Sequence, residues 1–442
     1  MQGKTIVSSE LEQGARFGIA DFYAGHDTHP LRAPEDFLAW RRATAPRQAL
    51  VSRALNSSVG PRSELLYGGA SRPVINLASL DYLGLARNPQ IIEAQREALP
   101  LWGNGAAGVP LLTGTSRLHR ELEAELSDLH DRSGAMLYTS GFAAALGICL
   151  AVLRRGDVAI CDERAHMSWF DGVRLSGARL VTFRHSDPAH LSDVLSDHAG
   201  SRRLVIVDAL YSMDGDFAPL AAIAAVAQAH GVEIIVDEAH SVFADGPEGA
   251  GTTARLRPGA GVGLVMGTFS KALSMVGGFA TASAELTDYM RYYSHPYVFS
   301  AALPPAIVAG VHCAVRVARR GEDLRVRLAE NSGYMRARLQ QLGFDTGCSQ
   351  SWIIPVIFGD RRDLLFECVA RLMEAGLYVV PVDFPAVPED ALRLRIAISA
   401  GHCREDLDES LNRFEDIVVP MLRPAGLLGR AAPHSAGEGV PP

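Results

Sequence analysis

Lys271 sits in the stretch VMGTFSKALSMVGG, behind Thr268 and Ser270 and ahead of a glycine pair, where an apolar run ends. An ammonium hemmed in by small and apolar neighbours has its charged form disfavoured, which leaves a nucleophilic amine able to form a Schiff base with a carbonyl. Alone, Lys271 reads equally well as a helix cap or a partner for a backbone carbonyl, so its company decides. Asp237 follows IIV directly, at the point where a buried strand emerges, and there a carboxylate can hold a pyridinium nitrogen protonated. His240, three residues on, is placed to donate to a phenolic oxygen of the same ring. His166, in CDERAHMS, lies past another apolar run and can stack on a flat ring. The plain alternative for VDEAH is a capping aspartate beside a surface histidine, and for His166 a packed loop residue.

A phosphate needs backbone N–H groups at a helix start together with hydroxyls. Ser140, Gly141 and Phe142, at a strand-to-helix turn, supply the first, and Thr268 and Ser270 the second. A ring, a phosphate, an acid and a Schiff-base lysine together describe pyridoxal 5'-phosphate. GNGAAG, with Gly103, Gly105 and Gly108, matches the dinucleotide pattern G-x-G-x-x-G literally, but it follows the helix-like EAQREALPLW with no strand before it, and it reads as a loop.

These residues need a scaffold that gathers them. Six apolar runs (135–140, 157–162, 179–184, 203–209, 232–238 and 263–270) alternate with helix-length segments, the pattern of a mostly parallel central sheet flanked by helices. Ligands of such sheets sit beyond the carboxyl ends of the strands, where the polar residues of at least five runs fall together. The reading is an α/β chain: an N-terminal arm at 1–70 with one or two helices and no sustained strand pattern, a large domain at 71–320, a smaller α+β lobe at 321–422, and a disordered tail at 423–442.

The 442 residues carry 21% charged and 48% hydrophobic side chains and a net charge of -8, an ordinary globular composition without the basic footprint that nucleic acid requires. Six scattered cysteines without a C-x-x-C pair suggest neither a zinc site nor a disulfide framework. No signal-peptide-like start and no membrane-spanning stretch stands out, so a cytoplasmic protein is expected.

From about Asn76 to Arg395 the chain resembles the α-oxoamine synthases, a branch of the fold-type I pyridoxal phosphate enzymes. The resemblance rests on LASLDYLGLARNP, LLTGTSRLHRELE, YTSGFAAALG, CDERAHMSWFDGVRLSGA, YSMDGDFAPL, VDEAHSVFADGPEGAG, GTFSKALSMVGGF, VFSAALPP and LRLRIAISAGH. It implies a homodimer with shared active sites. In it Lys271 holds the cofactor, Asp237 pairs with the pyridine nitrogen and His166 stacks on the ring. His240 and Ser212 lie near the phenolic oxygen. Gly141, Phe142, Thr268 and Ser270 surround the phosphate, and Ser300 reaches the partner's phosphate. Arg395 is assigned to the amino-acid carboxylate for its bidentate fork, with Arg393 on the same strand face.

The implied reaction is condensation of an amino acid with an acyl thioester, on CoA or a carrier protein, usually with decarboxylation, to an α-aminoketone. Other pyridoxal phosphate lyase or aldolase chemistry on the same scaffold, and a non-catalytic partner subunit, are the competing readings. Three departures from the family pattern (Leu80 for Asn, no arginine in Ala107-Gly108-Val109-Pro110, and Ala145 for Asn) are expected to alter substrate handling, as in a synthase of specialised metabolism.

Overall fold

The computed structural model describes residues 29–429, except 68 and 258. A seven-stranded sheet forms its centre, built from β4 (Gly134–Tyr138), β5 (Val158–Asp162), β6 (Arg179–Phe183), β7 (Arg203–Asp208), β8 (Ile234–Asp237), β9 (Val262–Thr268) and β10 (Gly278–Ala282). The strand order is β4-β10-β9-β8-β7-β5-β6. Strands β6, β5, β7, β8 and β9 run parallel, and β10 is antiparallel to both its neighbours.

The unbroken apolar runs follow from cover on both faces. Within them side chains still alternate. Ile206 and Ile235 join one apolar cluster with Met136, Ile148 and Trp169, while Val205, Val207, Ile234 and Val236 join another with Leu191, Leu195 and Ile223. Helices Gly141–Val152 and Met167–Ser176 cover the first face, and Pro188–Asp197 and Leu220–Ala229 cover the second.

A second sheet joins both ends of the described chain. Strands β1 (Ala54–Leu55), β2 (Arg62–Tyr67) and β3 (Ala70–Asn76) are antiparallel neighbours, and β12 (Leu377–Tyr378) pairs parallel to β3 through Leu377–Ile75 and Tyr378–Asn76. The N-terminal segment thus holds strands the sequence did not announce, because β1 is two residues long and β2 alternates only weakly. Helices Glu35–Ala43 and Ala45–Val51 precede them. Expectations for residues 1–28 and 430–442 lie outside the described residues.

The third sheet, β11 (Ile353–Gly359), β14 (Leu392–Ala397) and β13 (Val380–Val382), is antiparallel. Along β14, Leu392, Leu394 and Ile396 enter the apolar core and Arg393 and Arg395 take the opposite face.

Candidate active site

Parallel pairing of β7 with β8 puts Asp208 in register with Asp237, so two carboxylates end adjacent strands. Both are buried. Asp237 is fixed on both oxygens: Oδ2 accepts from Trp169 Nε1 at 2.8 Å and Oδ1 from the Ala239 amide at 2.8 Å. Burial, reinforced by the Asp237 charge, raises the Asp208 pKa well above its ordinary value. It also accepts the His166 amide at 3.4 Å.

Lys271 follows β9, the next strand over. It is partly accessible, as an amine that must meet a ligand has to be, yet surrounding protein lowers its pKa to about 8. Burial is the main cause, Asp237 and Asp208 oppose it, and Arg395 adds to it.

His166 caps helix Met167–Ser176, with Nδ1 2.8 Å from Ser168 Oγ and accepting the Ser168 amide at 3.3 Å. Its exposed ring lies close enough to Asp237 and Lys271 for both charges to act on its pKa, which burial lowers. His240 is buried, and Tyr82 Oη lies 2.8 Å from its Nδ1. Burial raises the Tyr82 pKa and, with Lys271 and Arg395, pushes that of His240 well down, so the phenol keeps its proton and the imidazole stays neutral. With Tyr82 as the donor to Nδ1, the imidazole proton is on Nε2; with the proton on Nδ1, the phenol oxygen accepts it.

The candidate phosphate residues lie at the start of helix Gly141–Val152 and the end of β9. Ser140 caps helix Gly141–Val152 by accepting the Ala143 amide at 3.0 Å, and the amides of Gly141 and Phe142 precede the first turn's intrahelical bonds. Thr268 Oγ1 donates to the Gly277 carbonyl at 2.8 Å and lies 2.9 Å from Ser270 Oγ. A Cβ on Gly141 would stand 3.0 Å from Thr268 Cβ, so the glycine keeps this approach open. Free amides at a helix start, two hydroxyls, a nucleophilic amine and a buried carboxylate fit a flat ring that carries a phosphate.

On β14 the two arginines part company. Arg393 is nearly buried and spent, donating to Asp214 Oδ1 at 2.6 Å, the Met213 carbonyl at 3.0 Å and the Ala391 carbonyl at 2.9 Å. Arg395 has no ion-pair partner among the described residues; its Nη1 meets the Met213 sulfur at 3.9 Å, and its charge is felt at Lys271, His240 and Tyr82.

Ser212 lies in the hairpin after β7, closed by the Leu210–Phe217 bridge, and Phe142 is half-exposed at the start of its helix. Ser300 stands apart, with no hydrogen bond to Thr268, Ser270 or Lys271 among the described residues; the neighbouring Ala302 amide donates to the Gly108 carbonyl. The GNGAAG segment follows helix Pro89–Trp102, whose C-cap is Gly103 at φ 78°, and no strand precedes it.

Of the three departures, Leu80 packs against the core and Ala107 takes φ 49° in the loop. Ala145 is fully buried with Ile148 and Trp169. Asp208 lies at one of the strand ends expected to share the site, without a role assigned from sequence, whereas Tyr82 and Trp169 are not singled out by sequence at all. For Asp208 the signal is a carboxylate at the end of the apolar run RLVIVDA; Tyr82 and Trp169 carry none.

Residues 72–414 match the family described as aminotransferase class I and II. The 8-amino-7-oxononanoate synthase of Thermoanaerobacter pseudethanolicus is 37% identical over 365 residues, covering 82% of this chain and 91% of that one. This chain belongs to the aminotransferase class I and II family, in its α-oxoamine synthase branch. Another α-oxoamine synthase relative, the putative 8-amino-7-oxononanoate synthase 2 of Mycobacterium tuberculosis, is 40% identical over 355 residues, or 80% of this chain; the chain spans 46% of that relative's length. Among solved structures, Sphingomonas wittichii serine palmitoyltransferase superposes with a TM-score of 0.84 at 32% identity, covering 91% of this chain and all of its own. The fold is therefore that of a fold-type I transferase.

Proposed function

We propose that this chain is a pyridoxal 5'-phosphate-dependent α-oxoamine synthase, a C-acyltransferase that joins an amino acid to an acyl thioester and, with loss of the amino-acid carboxylate, releases an α-aminoketone. The observation that carries this reading is the meeting of Lys271, its pKa lowered to about 8, with the fixed carboxylate of Asp237 and the guanidinium fork of Arg395, which has no ion-pair partner among the described residues.

The cofactor, when bound, supplies a ring that takes up the electron pair left as the amino acid loses its α-proton. The residues do the rest. Lys271 Nζ would hold the ring and, once free, would take the α-proton, which its lowered pKa permits near neutral pH. Asp237, held by Trp169 and the Ala239 amide, would keep a proton on the pyridine nitrogen. His240 donates from Nε2 to the phenolic oxygen with Ser212 beside it, and the His166 ring covers one face. Ser140, Gly141, Phe142, Thr268 and Ser270 hold the phosphate, while Arg395 grips the substrate carboxylate.

The same proposal includes a homodimer in which Ser300 serves the partner's site; the exposed Leu112 and Phe299, each at 78%, support such a covered face. It includes the division into a cofactor domain at 71–320, which holds the seven-stranded sheet, and a small lobe at 321–422, which holds the three-stranded one, with β3 and β12 pairing between them. A cytoplasmic setting suits the six unpaired cysteines; among the described residues no helix is long and apolar enough to cross a membrane. Apolar Leu80 supports an amino acid or acyl donor different from those of its relatives.

The test is incubation of the holoenzyme with single amino acids and acyl-CoA or acyl-carrier thioesters, following free thiol release and the aminoketone. Thiol release that requires one amino acid supports the reading. Consumption of amino acid with no thioester used would place the chain among lyases or aldolases instead.

A further inference from the structure

His185 follows β6 and belongs to none of the roles above. Its side chain is 12% exposed and lies between two carboxylates: Nδ1 is 3.0 Å from Asp162 Oδ1 and Nε2 is 2.9 Å from Asp216 Oδ2. A neutral imidazole has one N–H, so one carboxylate would face a lone pair; only the doubly protonated ring serves both.

The carboxylates belong to different active-site segments. Asp162 ends β5 and starts the turn to His166, accepting the Arg164 amide at 2.8 Å and the Ser186 amide at 2.8 Å. Asp216 closes the hairpin that bears Ser212, where the Tyr211 amide donates to the Asp216 carbonyl at 3.0 Å. The free oxygen of Asp216, Oδ1, is buried without a partner among the described residues, so His185 is its one side-chain anchor. The Tyr211 ring meets the imidazole in a T-shaped contact at 4.4 Å.

We propose that His185 is a positioning residue: as an imidazolium shared by Asp162 and Asp216, it bolts the turn bearing His166 to the hairpin bearing Ser212 and so sets the width of the slot a cofactor ring enters. The proposal rests on the functional reading above. The titratable and charged groups around the ring are Asp162 from β5, Glu163 (whose Oε1 accepts the His185 amide), Asp216, Tyr211 and Asp214 from the hairpin, Arg164 paired with Asp214, and Cys348 from the loop before β11. Burial would lower the ring's pKa, but the bonds and charges of Asp162 and Asp216 together raise it from 6.5 to about 9.

The experiment compares wild-type holoenzyme with His185→Gln and Asp216→Asn, measuring cofactor affinity by visible titration and the pH profile of kcat. His185→Gln is expected to weaken cofactor binding about tenfold or more and to lower kcat with a smaller change in the amino-acid KM, because a slot of the wrong width misplaces the ring. Wild type should lose kcat above about pH 9, the pH at which the imidazolium discharges. In Asp216→Asn that limb should move to lower pH, since the ring has lost one of its two anions. His185→Gln with wild-type affinity and pH profile overturns the proposal. Should His185→Gln fail to fold, an alkaline limb that stays in place in Asp216→Asn overturns it equally. Wild type that binds no cofactor sinks the functional reading and this role of His185 with it, whereas an active wild type indifferent to both substitutions sinks only the latter.

Discussion

Tyr82 Oη and His240 Nδ1 stand 2.8 Å apart, although 158 residues separate them in the chain. The bond joins a segment that also anchors the C-terminal part of the chain, where the Tyr82 carbonyl accepts the Ala400 amide at 2.7 Å, to the loop that ends β8. Tyr82→Phe keeps the ring and its contact with Trp352 at 5.6 Å but leaves Nδ1 of a buried histidine without its hydrogen-bond partner. Such a loss costs about 1–3 kcal/mol. A lowered melting temperature of the holoenzyme, and a shift in the pH at which its visible band titrates, are expected; an unchanged band and melt would mean that the bond orients nothing.

Trp169 holds one oxygen of Asp237 from inside the apolar cluster. In Trp169→Phe most of the buried volume survives while the donor is lost, so kcat should fall about tenfold. Steady-state kinetics beside a thermal melt separate the two contributions. A stability loss with unchanged kcat would assign Trp169 to packing alone.

The arginines of β14 should fail in different ways. Arg395→Met is expected to raise the amino-acid KM at least about tenfold with cofactor binding and melting unchanged, since it abandons no ion pair among the described residues. Arg393→Met leaves Asp214 with Arg164 alone at 3.1 Å and should destabilise the fold by about 3 kcal/mol, the cost of breaking a buried pair. Parallel melts and KM measurements decide. Matching behaviour of the two variants would refute the division of labour.

Lys271 predicts a pH dependence for the cofactor-free protein. Its amine titrates near 8 when folded and at 10.5 ordinarily, so between those values the unfolded chain binds the extra proton. The contribution of Lys271 to stability therefore rises with pH across that window, and the rate of cofactor capture rises through about pH 8. His185 runs the opposite way: its contribution is full below 6.5 and is lost as pH climbs through about 9. Melts of Lys271→Ala and His185→Gln against pH should each remove one of these slopes.

Residues at the ends of long apolar runs were legible in the sequence. Lys271, Asp237, His166 and His240 each follow such a run, and parallel pairing brings the ends of β5, β7, β8 and β9 to one edge. All six expected strands of the central sheet form. Strand β10 was missed because GFATA is short and rich in small residues. The single apolar stretch LYVVPVDF serves two sheets, β12 beside β3 and β13 beside β14, a choice made by tertiary partners and not by local pattern. Contacts such as Trp169 with Asp237 or His185 with Asp216 left no trace in spacing, because nothing local records which distant side chain completes a buried polar group. The orientation of Ala145 was equally hidden, since an alanine fits either side of a helix whose apolar residues run all round.

The central claim is that Lys271 covalently holds a ring whose electronics Asp237 controls. The most direct measurement is the visible absorption spectrum of purified protein with added pyridoxal phosphate, recorded for wild type and Lys271→Ala and then with single amino acids. The account predicts a band in wild type that Lys271→Ala abolishes while its fold is retained, and that one amino acid or a narrow set of them shifts. A wild-type protein that shows no band, or a band indifferent to Lys271→Ala, would contradict it.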